Sequence, residues 1–361
     1  MFKKEENDIV TNVRGKKLAK RKSENLLSNN ANNDEDTKLP PSQPLKSNMH
    51  HNIEKHIKDN SFKLNNSLTK TDLLKRKKKL LLIKDTARTL QLKVINANSP
   101  IKKGTVLTIN CFGLENGTNN RNDGFVYFGY IPHNMFIPLD EDNNNVIDFN
   151  LDMAPSTEVN QVSENESTNN VGRHFLIEYV LEKNNFIIKD MGIGYGTFVR
   201  LDYIHTLKDN QLINIGQIYI VVNIGEKAEE NNNGNSHFNS YSQNNNSIAS
   251  SKVNQLKLRV YGVNHNGDTF YFMPQNHNIS IGRYELADVK LNDKLLSQIH
   301  CVINYSEKEG WKLMDGQSNK PSTNGTWIYI NEEYEIYDKM IFKTNQTIFQ
   351  ASIIEHKPIT N

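Results

Sequence analysis

From Leu92 onward, the chain alternates short apolar runs with turn residues. Runs such as Leu92–Ile95, Val106–Ile109 and Phe125–Phe128 are rich in β-branched and aromatic residues and follow a two-residue period. No helical periodicity of useful length appears after residue 90. Many short strands with frequent turns are typical of a β-sandwich or barrel. The sequence therefore predicts an all-β fold for this part of the chain.

Polar stretches divide the chain into segments. Residues 139–170 form an acidic, Asn-rich insertion, and residues 227–252 predict a flexible Asn- and Ser-rich linker. Residues 1–90 are rich in Asn, Ser and Lys and predict a disordered basic tail, because polar tracts cannot offset the entropy of ordering. Within that tail, Thr71-Asp72 could cap a short helix over 71–88.

The two strand-rich regions, 91–226 and 253–356, look like copies of each other. Matching pieces occur in the same order in both regions. They are Gly129-Tyr130 with Gly282-Arg283, His174-Phe175 with His300-Cys301, Lys189-Asp190 with Met314-Asp315, and Gly196-Thr197 with Gly325-Thr326. The glycine-to-histidine spacing is 45 residues in the first copy and 18 in the second, and the acidic insertion accounts for the difference. Two homologous sandwiches in tandem are the simplest interpretation.

The second copy resembles the forkhead-associated (FHA) domain, whose pattern is Gly-Arg, then Ser-x-x-His, then Asn-Gly-Thr at successive strand ends. Here the pattern reads Gly282-Arg283, Ser297-Gln298-Ile299-His300 and Asn324-Gly325-Thr326. Each piece is weak alone, but the three in this order over about 100 residues are specific. The resemblance implies a β-sandwich over 253–356 that binds a phosphothreonine peptide.

The resemblance assigns a role to each candidate residue. Arg283 would supply a planar, multi-donor cation to a phosphate that carries nearly two negative charges. Ser297 would add a hydroxyl and a backbone N–H, and Asn324 would bond the peptide backbone beside the phosphothreonine. Gln298 and Thr323 would complete the phosphopeptide-binding rim. Support from within would come from Gly282, His300 and Gly325.

Each of these signals also has a simpler interpretation. Gly-Arg at a strand end is commonly a turn followed by a solvated charge, and Asn324-Gly325 is a hairpin signal in its own right. The family often has Arg or Lys after the serine, where this chain has Gln298; Lys294 could substitute from the same loop. The first copy departs further, with Tyr130, Val171 and Tyr195 at the positions of Arg283, Ser297 and Asn324. It is therefore interpreted as a degenerate sandwich, with Arg173 as an alternative cation.

Charge is distributed unevenly along the 361 residues. Residues 1–90 hold 21 Lys and Arg against 11 Asp and Glu, whereas residues 91–361 hold 22 against 30. The basic clusters Lys16–Lys22 and Lys75–Lys79 are consistent with a solvated tail, a nuclear localisation signal or, least favoured, a nucleic-acid contact. The charged start and the absence of a long apolar run predict an intracellular, nuclear or cytoplasmic protein without a membrane anchor.

Two function classes follow from these observations. The leading hypothesis is a phosphothreonine-peptide-binding adaptor whose partner is a threonine-phosphorylated protein. The alternative is a structural scaffold in which both sandwiches make phosphate-independent contacts. The sequence holds no phosphate loop, metal-spaced Cys and His cluster or nucleophile–base pair, so we expect no enzyme activity, no metal and no cofactor. Oligomeric state is not predicted.

Overall fold

The computed structural model describes residues 46–61, 68–97, 101–117, 121–131, 147–151, 171–226, 254–262, 264–276, 278–317 and 320–356. The linker 227–252, the cluster Lys16–Lys22 and most of the insertion 139–170 lie outside the described residues. The helices are α1 (Lys46–Asn60) and α2 (Lys70–Ile83). No helix of the described residues is long and apolar enough to cross a membrane.

Apart from a 3-10 helix at Leu181–Lys183, the regular structure in the rest of the described chain is β-strand, which confirms the predicted all-β class. The strands, in chain order, are β1 (Thr89–Asn96), β2 (Val106–Asn110), β3 (Gly113–Leu114), β4 (Phe125–Tyr130), β5 (Phe149–Asn150), β6 (Gly172–Val180), β7 (Asn185–Asp190), β8 (Thr197–Arg200), β9 (His205–Thr206), β10 (Leu212–Ile215), β11 (Ile218–Glu226), β12 (Asn254–Gly262), β13 (His265–Phe272), β14 (Ile279–Gly282), β15 (Val289–Lys290), β16 (Cys301–Ser306), β17 (Gly310–Asp315), β18 (Thr326–Tyr329), β19 (Tyr334–Glu335), β20 (Ile341–Thr344) and β21 (Thr347–Ile354).

The strands form one long sheet and two short ones. The long sheet has the order β13-β12-β11-β10-β18-β8-β20-β21-β1-β2-β3. The short sheets have the orders β19-β7-β6-β4-β5 and β15-β14-β16-β17-β9. The described residues form two large apolar cores and a smaller third cluster, and the two large cores define two lobes. We define the first lobe as residues 70–200 with 330–354, and the second lobe as residues 201–329.

The lobes exchange their last three strands. The strands β19, β20 and β21 pair with β7, β8 and β1 of the first lobe, while β9, β10 and β11 pair with β17, β18 and β12 of the second. The predicted boundaries, 91–226 and 253–356, therefore do not coincide with the two cores: 205–226 packs with the second copy and 334–354 with the first. Because both copies end in the same three-strand pattern, sequence cannot decide which ending fills which core.

The crossover has a physical basis in the pairing of β8 with β18. These strands are antiparallel neighbours in the long sheet, with Val199 opposite Ile328. The chain leaving each strand bonds to the other copy, since Leu201 N donates to Thr326 O (2.8 Å) and Ile330 N donates to Thr197 O (2.9 Å). The segment that follows β8 therefore enters the second lobe, and the segment that follows β18 enters the first.

Both helices lie within the predicted basic tail. The helix over Lys46–Asn60 was not predicted, whereas α2 (Lys70–Ile83) falls largely within the short helix predicted over 71–88 and is capped by Thr69 instead of Thr71. Apolar side chains that are isolated in a polar sequence order both helices. Ile53 and Ile57 of α1 are buried against the junction of the lobes, next to Trp327 and Tyr329. Leu80 of α2 enters the core of the first lobe.

The basic cluster Lys75–Lys79 lies on α2, and one member is held by the first lobe. Arg76 Nε donates to Asp123 O (2.7 Å), its guanidinium lies 4.4 Å from the ring centroid of Phe125, and it pairs with Glu178 (3.4 Å). Arg76 is therefore a structural residue as well as a basic one.

Part of the insertion 139–170 also belongs to the first lobe. Residues 147–151 contain β5, which pairs in parallel with β4, and Leu151 is buried. The Asp148 carboxylate accepts a hydrogen bond from Tyr127 N (2.8 Å). In the second lobe, Asp288 accepts the same bond from Ser280 N (2.8 Å). The insertion therefore contains a short strand of the first lobe, which the polar sequence around it does not predict.

Candidate functional site

Arg283 stands at the end of β14 and is exposed. Its Nε donates to Leu296 O (2.8 Å), and its backbone N donates to Ser297 O (3.2 Å). The terminal guanidinium nitrogens make no hydrogen bond or ion pair with any residue that the structure describes. The stem is thus fixed against the next loop, while the charged fork stays open to solvent.

Ser297 connects that loop to the one before β18. Its Oγ accepts a hydrogen bond from Thr323 N (3.0 Å) and lies 3.2 Å from Thr323 Oγ1. Next to it, Asn324 Nδ2 donates to Leu295 O (2.7 Å). The loops that carry Arg283, Ser297 and Asn324 are therefore joined directly by hydrogen bonds.

Close backbone contact brings the first two loops together. An ideal Cβ on Gly282 would lie 2.1 Å from Gln298 O, which no side chain could tolerate. The same carbonyl accepts a hydrogen bond from Tyr284 N (3.0 Å), and the Gln298 side chain is exposed. Glycine at position 282 is a requirement of this approach.

His300 links two of the loops from within the lobe. Its Nδ1 accepts a hydrogen bond from Ser297 N (3.2 Å) and its Nε2 donates to Gly325 O (3.1 Å), so the bonded tautomer is neutral. Burial lowers the pKa of His300, against the opposing effect of its bond to Gly325. The imidazole has no free nitrogen for acid–base chemistry.

Hydrogen bonds to the partly buried Asp315 carboxylate hold the turn that carries Asn324. The Asp315 carboxylate accepts hydrogen bonds from Ser322 Oγ (2.6 Å), Ser322 N (3.0 Å) and Thr326 Oγ1 (2.7 Å). Gly325 follows with a φ of +78°, in the region that favours glycine. The turn is thus fixed by bonds to its own strand ends.

Residues 279–347 match the family model of the FHA domain. This chain carries an FHA domain. FHA domains are protein-interaction modules that bind phosphopeptides and are not catalytic. Comparison with curated proteins and with solved structures found no significant match. The matched residues extend past the second lobe, because 330–347 pack in the first.

Sequence reasoning missed the contribution of the exchanged strands to the FHA site. The β10–β11 turn packs against the loop that carries Ser297, where Asp293 accepts a hydrogen bond from Gln217 N (2.8 Å). An ideal Cβ on Gly216 would lie 2.5 Å from Asp293 Oδ2. The exposed Lys294 borders a recess of about 320 Å³ between this turn and the loop. Only knowledge of the exchange could have indicated these neighbours.

The first lobe has different side chains at the corresponding positions. Tyr130 ends β4, and Gly172 lies opposite it in β6. The Arg173 guanidinium lies 3.7 Å from the ring centroid of Tyr127. Tyr195 N donates to Asn345 Oδ1 (3.3 Å) of the β20–β21 turn. Tyr130, Arg173 and Tyr195, at the rim of the first lobe, therefore make contacts within the chain.

No group of three or more His, Cys, Asp or Glu residues in the described part of the chain is arranged to hold a metal ion. Both cysteines, Cys111 and Cys301, are free and lie in the separate cores. Burial raises the pKa of the Cys111 thiol to about 11, and burial also raises the pKa of Cys301. Both thiols are therefore protonated packing groups at neutral pH.

Proposed function

We propose that the second lobe binds a threonine-phosphorylated partner protein through Arg283, Ser297 and Asn324, and that the chain acts as a phosphorylation-dependent adaptor. The observation that carries the proposal is the state of Arg283. Its stem is fixed by Leu296 while its terminal nitrogens have no partner among the described residues. A charged fork held in place beside hydroxyl and amide groups matches the donor set that a phosphate requires.

The arrangement of the other residues supports the same proposal. Ser297 and Thr323 present hydroxyl groups next to each other, and the Asn324 side chain is tied at its amide nitrogen, which leaves Oδ1 to accept from a peptide N–H. Ordered loops lower the entropic cost of binding. We expect the ligand to be a phosphothreonine, whose phosphate would accept hydrogen bonds from the Ser297 hydroxyl and the Arg283 guanidinium.

The first lobe is proposed to be a degenerate FHA copy that binds no phosphate. An ideal Cβ on Gly129 would lie 2.1 Å from Gly172 O, the same distance as at Gly282, so the support of the site is retained. The cation, hydroxyl and amide are replaced by Tyr130, Val171 and Tyr195. The structural alternative therefore applies to this lobe, which would serve phosphate-independent packing.

Localisation stays a prediction. Lys75, Lys78 and Lys79 are exposed on α2 and are accessible to a nuclear import receptor, although Lys75 pairs with Asp72 (3.6 Å) and Arg76 pairs with Glu178 (3.4 Å). Lys16–Lys22 lies outside the described residues. We propose an intracellular protein that is nuclear or cytoplasmic.

Binding of a phosphothreonine peptide library to the full chain tests the proposal. Arg283→Ala should weaken binding by about 2–4 kcal/mol, because phosphate charge is left unpaired. Arg283→Lys should recover only part of the loss, since an ammonium group lacks the planar fork. Lys93→Ala is the matched control, because Lys93 is an exposed cation on β1 of the first lobe.

Two results would contradict the proposal. One is equal affinity of the full chain for phosphorylated and unphosphorylated library members. The other is an unchanged affinity in Arg283→Ala when urea unfolding shows that the variant is folded. Matched phosphoserine peptides then measure the preference for threonine.

A further inference from the structure

The pairing of β8 with β18 brings a cation of the first lobe to the FHA site. Arg200 is the last residue of β8 and lies opposite Trp327, two residues after Gly325. An ideal Cβ on Gly325 would lie 3.0 Å from Arg200 Cδ and 3.1 Å from Arg200 Cγ. The aliphatic stem of Arg200 therefore lies against the Asn324-Gly325 turn.

The charge of Arg200 is not held by a direct polar contact within the described chain. The side chain is exposed, and it makes no hydrogen bond or ion pair with a residue that the structure describes. Several other arginines of the described chain are paired: Arg76 with Glu178, Arg88 with Glu355 and Arg121 with Asp148. An arginine whose stem is packed and whose guanidinium makes no ion pair is suited to an external anion.

The described acidic groups near the site make no ion pair with this cation. Asp202, two residues after Arg200, accepts hydrogen bonds from Tyr337 Oη (2.9 and 3.1 Å), and Arg200 lies close enough to interact electrostatically with that tyrosine. Asp293 accepts hydrogen bonds from Gln217 N and Leu295 N, and Asp315 accepts three from its own turn. Glu285 pairs with Lys290. Arg200 and Arg283 therefore stand as separate positive charges in two of the elements that surround Asn324.

We propose that Arg200 is a specificity-determining residue of the FHA site, which binds an acidic side chain, Asp or Glu, of the partner close to its phosphothreonine. The inference rests on the proposed function and adds the partner's sequence preference to it. An extended peptide advances about 3.3–3.6 Å per residue, so the acidic residue should fall within about two positions of the phosphothreonine. The first lobe thus contributes to recognition without binding phosphate itself.

Pairs of phosphothreonine peptides test this proposal on the full chain. Each pair differs only by Asp or Asn at one position within about two residues of the phosphothreonine. The unaltered protein should bind at least one Asp peptide about fivefold more tightly than its Asn partner, the upper range for a solvent-exposed ion pair. The preference should shrink as salt is raised, because exposed charges are screened.

Variants separate Arg200 from general electrostatics. Arg200→Gln should abolish the preference for Asp while leaving affinity for the Asn peptide within about twofold, because the charge lost is exposed. Arg200→Lys should keep part of the preference, and Lys93→Gln, which removes the same charge from β1, should keep all of it. Urea unfolding of each variant verifies that the fold is intact.

Three outcomes would overturn the inference. The preference for Asp could persist in Arg200→Gln, it could be lost equally in Lys93→Gln, or the unaltered protein could bind both members of every pair equally. In each of these cases, loss of binding in Arg283→Ala would still support the proposed function. If no phosphopeptide binds the unaltered protein at all, the proposed function fails and this inference fails with it.

Discussion

The two lobes share their internal supports and differ at their rims. Gly129 and Gly282 both allow a backbone carbonyl of the neighbouring loop to approach within 2.1 Å of an absent Cβ. His174 O and His300 O accept equivalent bonds from Met191 N (2.8 Å) and Gly316 N (2.7 Å). At the rim, however, exposed polar groups of the second lobe correspond to tyrosines and valine in the first.

This comparison distinguishes the residues that support the fold, which both lobes share, from the rim residues, which differ. Changes at close backbone approaches and buried hydrogen bonds destabilise a lobe, whereas exposed rim residues can change without such a cost. In the first lobe, part of the corresponding rim is covered by its own chain: an ideal Cβ on Gly192 would lie 2.4 Å from Ser61 Oγ, at the end of α1. The rim of the first lobe is therefore a packing surface within the chain.

The largest expected effect comes from dividing the chain at the exchange. A chain that ends at residue 329 should keep a folded second lobe that binds phosphopeptide. Its first lobe should unfold, because it loses buried residues of the last strands such as Ile336, Phe342 and Phe349. Truncating a single buried Phe costs about 3–5 kcal/mol, and here three strands are removed. Hydrogen exchange located along the chain measures both effects.

The matched fragment is 253–356, the domain that sequence repeats delimit. It lacks Ile213, Ile215, Ile220 and Val222, which are buried in the second core. Fragment 253–356 should therefore be unfolded or aggregated and should not bind. If it were monomeric and bound phosphopeptide as tightly as the chain ending at 329, its own strands 334–354 would fill the second core when the first copy is absent, and the requirement for the exchanged strands would be contradicted.

Much of the fold was predictable from sequence because strand periodicity and turns are local signals. The strands around Leu92, Phe125 and Leu256 follow directly from alternation of apolar residues. The exchange was not predictable, since strands 212–226 and 341–354 fit either core equally by pattern. The helix α1 was missed because Ile53 and Ile57 are isolated apolar residues that become informative only once the sheet they cover is known.

The candidate site was predictable where its residues sit in a motif. Arg283, Ser297 and Asn324 lie on separate loops, and a family pattern joins them. Arg200 belongs to no motif. Its position depends on the pairing of β8 with β18, which the pattern of apolar and polar residues does not indicate. Sequence therefore identified the candidate site residues of the FHA motif and missed the neighbour that the other lobe supplies.

A smaller effect is expected from alanine at the two equivalent glycines. Gly282→Ala and Gly129→Ala should each destabilise the protein by about 1–3 kcal/mol, because a methyl group must displace a backbone carbonyl. Only Gly282→Ala should weaken phosphopeptide binding, since Gln298 lies in the loop of Ser297. Urea unfolding and calorimetric titration measure the two quantities.

Gly225→Ala provides the control for that pair, because an ideal Cβ at this strand position meets nothing within 4 Å. It should leave both stability and affinity unchanged. Equal loss of affinity in Gly129→Ala and Gly282→Ala would mean that binding follows global stability, and the functional difference between the lobes would lose its support.

The smallest effect concerns protonation of His300. Burial holds its pKa in the folded state below the ordinary value of 6.5, so the neutral form stabilises the fold and Nδ1 can accept from Ser297 N. This contribution is present above pH 6.5 and is lost as the pH falls from 6.5 through the folded-state pKa, because the unfolded chain binds the proton first. His300→Gln should therefore show a smaller loss of unfolding free energy between pH 7 and 5 than the unaltered chain.

Since burial also lowers the pKa of His205, His205→Asn serves as the comparison. His205→Asn should flatten the same profile without altering phosphopeptide affinity at pH 7, whereas His300→Gln should weaken it, because only His300 bonds to the loop of Ser297.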